Sequence, residues 1–479
     1  MLTGAEYIES LRRLRSEVYF MGKRVESVAD HPATRPHVNA AAATYDLAHD
    51  PAYAEMFCAT SHLTGRKINR FTHIPRSAED CVKKVKMLRA VGGFTGACFQ
   101  RCVGLDAISA LHSITHDIDQ ARGTDYHERF RRFLIDIQDR DLMSAGAMTD
   151  PKGDRSKRPH EQPDPDVFVR VVERRSDGIV IRGAKMHQTG GVNSHQYILL
   201  PGQALTPDDA DYAVACAVPA DAPGVIQVLG RQTNDSRLWE GKVDQGNSTY
   251  GVVGGEAFAI FDNVFVPFER VFMLGETEFA ATLVERFTTY HRQNYGACKG
   301  GNLDVLVGAT RAIAEVQGTV TASHVRDKLA EMAHLVETLY SGALACSHEC
   351  SILPCGTALP DRLLANTEKL NTSRHYAEVV RLALDVAGGF IATMPGEQEL
   401  DNPRVAEFTR KYYRTHPEVP AEVRMKLGRL IENLGGVTAI AECVHGAGSP
   451  QAQKISIERN LDWAQRKGLA KRILGLDAD

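Results

Sequence analysis

The chain has 479 residues, of which 43% are hydrophobic and 24% charged, with a formal net charge of −4. This is the make-up of an ordinary globular protein with room for two or three domains and a large core. It lacks the basic runs of a nucleic-acid binder, and no apolar stretch is long enough to cross a bilayer.

The first twenty residues are amphipathic but carry acidic side chains and lack the apolar centre of a secretory signal, so a cytoplasmic location is expected. In a reducing compartment the ten cysteines are expected as thiols or metal ligands rather than disulfides.

In residues 1–147 the predicted elements are helices. Residues 6–20 place Tyr7, Ile8, Leu11, Leu14 and Val18 at helical spacing. Ser77 fits an N-cap, with Glu79 and Asp80 in the first turn of a helix to Ala90. Gly92, Gly93 and Gly96 then allow a turn or close packing ahead of a helix carrying Cys98. A further helix is expected over residues 126–140.

Pro, Gly and charge dominate residues 148–166, which marks a loop and the start of a second block, 148–275. Runs rich in β-branched residues follow at 167–174, 178–185, 196–200, 212–218, 224–230 and 256–267. Turn signals such as Ser-Asp-Gly separate them, so a middle antiparallel β domain is expected. Residues 276–479 return to helical periodicity, with helices over 279–290, 302–317, 323–340, 363–386 and 420–433. The expected class is α+β: an N-terminal helical domain, a β domain and a C-terminal helical bundle.

Two stretches carry chemistry. ACFQRCV, residues 97–103, places Cys98 and Cys102 four apart, which on a helix puts both thiols on one face. YHRQNYGACKG, residues 290–300, places His291 and Cys298 two turns apart on a shared face, with Tyr295 between them. Two such helices, packed together, present three thiols and one imidazole to a common point. That donor set suits a structural zinc ion or an iron–sulfur cluster with one unusual ligand. The plain alternative is a set of buried core thiols. Against it, Gln100, Arg101, Arg292, Gln293 and Lys299 make the surroundings polar, and burying so many donors is costly without something to bind.

CSHECSILPC, residues 346–355, is a competing arrangement, with Cys346 and Cys350 on one helical face and Cys355 beyond. His348 would point away from that face, so these are expected to be thiols near a helix end.

The helical–β–helical order is the layout of the acyl-CoA dehydrogenase fold. The segments MTDPKGDR (148–155), RGAKMHQTGGVNSH (182–195), FDNVFVP (261–267), YHRQNYGACK (290–299), VAGG (386–389) and HGAGSPQAQ (445–453) resemble the 4-hydroxyphenylacetate 3-hydroxylase family of flavoproteins. The resemblance covers essentially the whole chain. Within the family, Cys98, Cys102, His291 and Cys298 resemble the ligand set of the branch that dehydrates a 4-hydroxyacyl-CoA with FAD and a [4Fe–4S] cluster. The hydroxylase branch shares the layout but uses flavin alone.

The resemblance implies an acyl-CoA dehydrogenase-like fold and a homotetramer with FAD in a cleft shared between subunits. It implies conversion of 4-hydroxybutyryl-CoA to crotonyl-CoA and water, accompanied by vinylacetyl-CoA Δ-isomerase activity. The three cysteines and His291 would hold the cluster, with His291 also a candidate base for the α proton. Tyr295 would hydrogen-bond substrate or stabilise a radical. Glu256 and Glu442 would be acid/base or supporting carboxylates, and Lys299 and Gln100 would orient the cluster, hydroxyl or thioester. Thr189 would face the flavin near N5. Met148, Thr149, Asp150, Lys152, Arg155, His187, Gln188 and Gly190 would line the flavin. Gly388 and Gly389 would let backbone approach a cofactor phosphate from a neighbouring subunit.

Simpler readings stand beside several of these. Glu442 fits a solvated helix position, Lys299 an ordinary ion pair, Gly388-Gly389 a helix terminus, and Thr149-Asp150 a turn before Pro151. With no P-loop or Gly-x-Gly-x-x-Gly in the sequence, the flavin expectation rests on resemblance. Three other functions stay open at this level: a cluster-free flavin monooxygenase, a zinc-stapled acyl-CoA-binding or non-catalytic protein, and a dehydratase of a different hydroxyacyl-CoA.

Overall fold

The computed structural model describes residues 1–232 and 241–476. Its first helix, α1 (Gly4–Arg12), is capped by Thr3. The Thr3 hydroxyl accepts the Glu6 amide and the Glu6 carboxylate accepts the Thr3 amide. The helix expected over residues 6–20 stops there. Glu-Val-Tyr-Phe, rich in strand formers, makes β1 (Glu17–Phe20) instead and turns into the short β2 (Lys23–Arg24). Helix α2 (Arg35–Asp46) is buried nearly all round and shows no amphipathic stripe in the sequence.

Ser77 caps α3 (Ala78–Thr95), its hydroxyl accepting the Asp80 amide at 3.1 Å. The helix continues past Ala90 through Gly92 and Gly93. These glycines serve a helix crossing: a Cβ on Gly92 would lie 2.7 Å from the Cys298 carbonyl oxygen. Gly96, at φ 58°, ends the helix. α4 (Cys102–Arg122) and α5 (Tyr126–Asp139) follow.

The strands are β3 (Ser144–Ala147), β4 (Arg170–Arg174), β5 (Gly178–Gln188), β6 (Gln196–Leu199), β7 (Val214–Pro219), β8 (Val225–Leu229), β9 (Ala257–Pro267) and β10 (Val271–Leu274). With β1 and β2 they form the two larger sheets, ordered β2-β1-β8-β9-β5-β4 and β10-β7-β6-β3. Pairing within residues 170–274 is antiparallel, as the turn signals imply. The two strands contributed from earlier in the chain, β1 beside β8 and β3 beside β6, pair in parallel. Inward side chains such as Val171, Ile181, Tyr197, Val214 and Phe261 pack the sheets together. A register shift in β9 at Ala257–Ala259 faces the end of β5, where His187 (φ 57°) and Gly190 (φ 68°) turn the chain sharply and set Thr189 in place.

The helices expected over 279–290 and 302–317 are one helix, α6 (Thr277–Val316), about 60 Å long. It packs against α3, α4, α7 (Ser323–His348) and α8 (Arg362–Ala387). The chain closes with α9 (Ala421–Leu434), α10 (Val437–His445), α11 (Pro450–Asn460) and α12 (Trp463–Ile473). Among the described residues no helix is long and apolar enough to cross a membrane.

Candidate active site

Helical periodicity sets His291, Tyr295 and Cys298 along one flank of α6, facing the start of α4. Cys102 is the first residue of α4, but Cys98 lies on no helix. Residues 96–101 form a loop, with Gln100 at φ 69°. The shared helical face expected for Cys98 and Cys102 is therefore corrected. Arg101 supplies the physical reason. Its guanidinium pairs with buried Asp141 at 3.0 Å and lies 3.8 Å over the Tyr45 ring, drawing the chain off a helical path. The loop is then pinned where it lies. The Cys98 amide donates to the Val252 carbonyl at 3.0 Å, and Gln100 Nε2 donates to the carbonyls of His37 (3.0 Å) and Cys98 (3.1 Å).

The result is a recess whose walls include Cys98, Cys102, His291 and Cys298, with Thr189, Asn294, Tyr295, Lys299, Asn302 and Glu442. Among the described residues, no three His, Cys, Asp or Glu side chains close on one point as they would around a single ion. The donors stand around a space instead.

His291 is held by Asp106, one turn beyond Cys102 on α4. His291 Nδ1 lies 2.8 Å from Asp106 Oδ2, which also accepts from Asn294 Nδ2 at 2.6 Å. Asp106 Oδ1 takes Lys84 Nζ at 2.7 Å, both side chains being almost wholly buried. With Nδ1 engaged, Nε2 is the imidazole nitrogen left for a ligand or proton.

Two further polar pairs complete the recess. Lys299 Nζ meets Glu442 Oε2 at 2.7 Å, so Glu442 is not a solvated helix residue. Burial works against the Lys299 charge, but Glu442 outweighs it and holds the ammonium well above its usual range. Behind the wall, the Thr189 hydroxyl donates to Glu256 Oε1 at 2.8 Å. Burial, reinforced by Glu442, pushes the Glu256 carboxyl up to about 8, so it is protonated at neutral pH. Burial also pushes the Cys298 thiol up to about 12 and those of Cys98 and Cys102 well above the ordinary range.

Gln100 does not reach the recess wall; it braces the Cys98 loop. The segments expected to line flavin sit around the end of β5. Asp150 pairs with buried Lys185 at 2.6 Å, and the Lys185 ammonium also takes the carbonyls of Met148 (3.0 Å) and Leu200 (2.7 Å). The Met148 side chain is buried, while Thr149, Lys152, Arg155 and His187 are exposed. Gln188 is buried and bonds the Met186 carbonyl, and Gly190 packs on Gln100. Gly388, at φ 85°, caps α8, and it and Gly389 are exposed and away from the recess walls. Cys346, Cys350 and Cys355 lie outside the recess. Cys346 is buried at the end of α7, donating to the Ala343 carbonyl.

Sequence reasoning missed Asp106, Asn294, Lys84 and Asn302. With its side-chain amide turned so that the nitrogen faces them, Asn302 donates to the carbonyls of Gly92, Ala97 and Cys298 at 3.2–3.3 Å, which ties the Cys98 loop to α6.

Family models described as 4-hydroxyphenylacetate 3-hydroxylase N terminal and C terminal match residues 3–273 and 280–475. The chain belongs to the 4-hydroxyphenylacetate 3-hydroxylase family. Within this family it is 48% identical to the 4-hydroxybutyryl-CoA dehydratase/vinylacetyl-CoA-Δ-isomerase of Clostridium aminobutyricum, over 99% of this chain and 100% of that one. The solved oxygen-tolerant archaeal 4-hydroxybutyryl-CoA dehydratase from N. maritimus is similar at 47% identity and TM-score 0.97, covering 100% of this chain and 95% of that one. The oxygenase component of 4-hydroxyphenylacetate 3-monooxygenase, solved with FAD, matches at 24% identity and TM-score 0.88 over 99% and 98%, which shows the common fold. The architecture of this family member is thus acyl-CoA dehydrogenase-like.

Proposed function

We propose that this chain is a 4-hydroxybutyryl-CoA dehydratase with vinylacetyl-CoA Δ-isomerase activity, using FAD and a [4Fe–4S] cluster. The observation that carries the reading is the recess itself. Three thiols and an imidazole oriented by Asp106 surround one space, beside Lys299–Glu442 and Thr189–Glu256, in a chain closely similar to named dehydratases. The donor set fits an iron–sulfur cluster in its chemistry, three thiols and one imidazole lining the same recess. Cys98, Cys102, Cys298 and His291 would hold it. When bound, the cluster would supply a Lewis acid for the leaving hydroxyl, and FAD the one-electron chemistry that acidifies an otherwise inert β C–H.

The chain's own residues handle protons. Going from 4-hydroxybutyryl-CoA to crotonyl-CoA, one proton leaves the α carbon and one the β carbon. One returns at the γ carbon, and the other departs with the hydroxyl as water. Glu256, protonated and bonded by Thr189, is a proton source. The Glu442 carboxylate, steadied by Lys299, is a proton acceptor, and buried Tyr295 offers a hydroxyl to substrate. Isomerising vinylacetyl-CoA needs only the α-to-γ transfer, a subset of the same groups.

Exposed apolar side chains at the C-terminal end, including Trp463, Ile473, Leu474 and Leu476, offer a surface for a partner subunit, and the assembly we propose is a homotetramer. The exposed Gly388-Gly389 backbone is then available to a cofactor shared between subunits. All ten cysteines are free thiols, in keeping with a cytoplasmic location.

Anaerobically purified protein is expected to convert both 4-hydroxybutyryl-CoA and vinylacetyl-CoA to crotonyl-CoA. Hydroxylation of 4-hydroxyphenylacetate with supplied reduced flavin, and no crotonyl-CoA formed, would overturn the reading in favour of a monooxygenase.

A further inference from the structure

Lys369 is a fully buried cation that the proton handling above does not use. It lies on α8, and its Nζ donates to Ser373 Oγ at 2.7 Å and to the Cys443 carbonyl at 2.8 Å. Neither partner is an anion. The adjacent Glu368 bonds Thr372 and leaves Oε2 without a partner, and burial pushes its carboxyl well above the usual carboxylate range. Burial also works against the Lys369 charge, and a buried ammonium needs a counterpart.

The counterpart is the Tyr295 ring, whose centroid lies 4.4 Å from Lys369 Nζ. Lys299 Nζ stands 5.9 Å from the same centroid. Tyr295 is 5% exposed, lines the recess and meets His291 edge-on at 5.5 Å. Its hydroxyl abuts Gly446, where a Cβ would overlap it. Among the described residues that hydroxyl has no hydrogen-bond partner, although buried tyrosine hydroxyls ordinarily find one. A phenol on the recess wall without a hydrogen-bond partner points to a ligand oxygen.

We propose that Lys369 is a positioning residue for Tyr295: its ammonium fixes the ring and draws electron density from it, leaving the phenol as a polarised hydrogen-bond donor to an oxygen of the acyl-CoA substrate. The identity of that oxygen rests on the dehydratase reading. A cation against the ring also makes removal of an electron from it harder, which assigns Tyr295 to hydrogen bonding rather than to carrying a radical. Through the Cys443 carbonyl the same ammonium aligns the next residue back, Glu442, with Lys299.

The test uses the holoenzyme with Lys369→Met and Lys369→Gln, each in the wild-type and Tyr295→Phe backgrounds. It adds fluorine NMR of 3-fluorotyrosine placed at position 295. Lys369→Gln keeps a donor for the Cys443 carbonyl while removing the charge. Both substitutions are expected to lower kcat about 10- to 30-fold. In Tyr295→Phe the loss is expected to shrink to less than about threefold, because the group acted upon is gone. The fluorine resonance is expected to shift in both variants. An unchanged resonance, a wild-type rate in Lys369→Gln, or equal fold-losses in the two backgrounds would overturn the proposal. A wild-type enzyme inert toward 4-hydroxybutyryl-CoA would defeat the dehydratase reading alone, since the fluorine resonance still decides whether Lys369 acts on Tyr295.

Discussion

Asp106 holds three groups at once: the His291 imidazole, the Asn294 amide and the Lys84 ammonium. Replacing it with Asn leaves the Lys84 charge buried and unpaired, which costs about 3–5 kcal/mol. Asp106→Asn is therefore expected to lower the urea unfolding midpoint well below that of the wild type. An unchanged midpoint would mean that the network is dispensable. At this scale the sequence is uneven. His291, Tyr295 and Cys298 are legible because helix geometry alone puts them together. Asp106 was within reach, since it stands four residues after Cys102 on the same helix. Cys98 was not: the loop that delivers it depends on Arg101 reaching Asp141 and Tyr45, contacts that local spacing does not encode.

At the scale of elements, α6 crosses α3 so closely that a Cβ on Gly301 would lie 2.3 Å from the Arg89 carbonyl oxygen. The glycines that read as breaks in helical sequence are the contact points that let two helices meet, which is why the expected helices at 279–290 and 302–317 are one. A second element-scale feature lies between α4 and α5. The rings of His62, His112, His127 and His116 succeed one another at 5.2, 5.0 and 5.6 Å. Burial, with help from neighbouring histidines, draws His112 down to about 2; burial, reinforced by Arg76, draws His62 down to about 4. An unfolded histidine titrates near 6.5. Above that pH neither state binds the proton. As pH falls from about 6.5 toward 4, the unfolded chain takes up protons that the folded chain refuses, so stability falls. The urea midpoint is expected to drop between pH 7 and pH 5, and more gently in His112→Gln, which keeps a polar partner for Thr357. Parallel pH dependences would show that His112 does not contribute.

Over the whole molecule, β-branched runs and turn residues revealed the middle strands, because short strands joined by tight turns write both signals locally. The parallel additions of β1 and β3 were invisible, since they depend on partners more than fifty residues away. The architecture brings a loop and a helix from the N-terminal part against one long helix from the C-terminal part, with the Thr189 turn from the sheets closing the side. The proposed function rests on these four donors holding an iron–sulfur cluster. Iron, sulfide and flavin analysis of anaerobically purified protein, with Cys98→Ala and His291→Ala alongside, tests it most directly. About four irons per chain are expected in the wild type, together with FAD, and loss of iron in both variants. Flavin with no iron, or iron that persists unchanged in both variants, would contradict it.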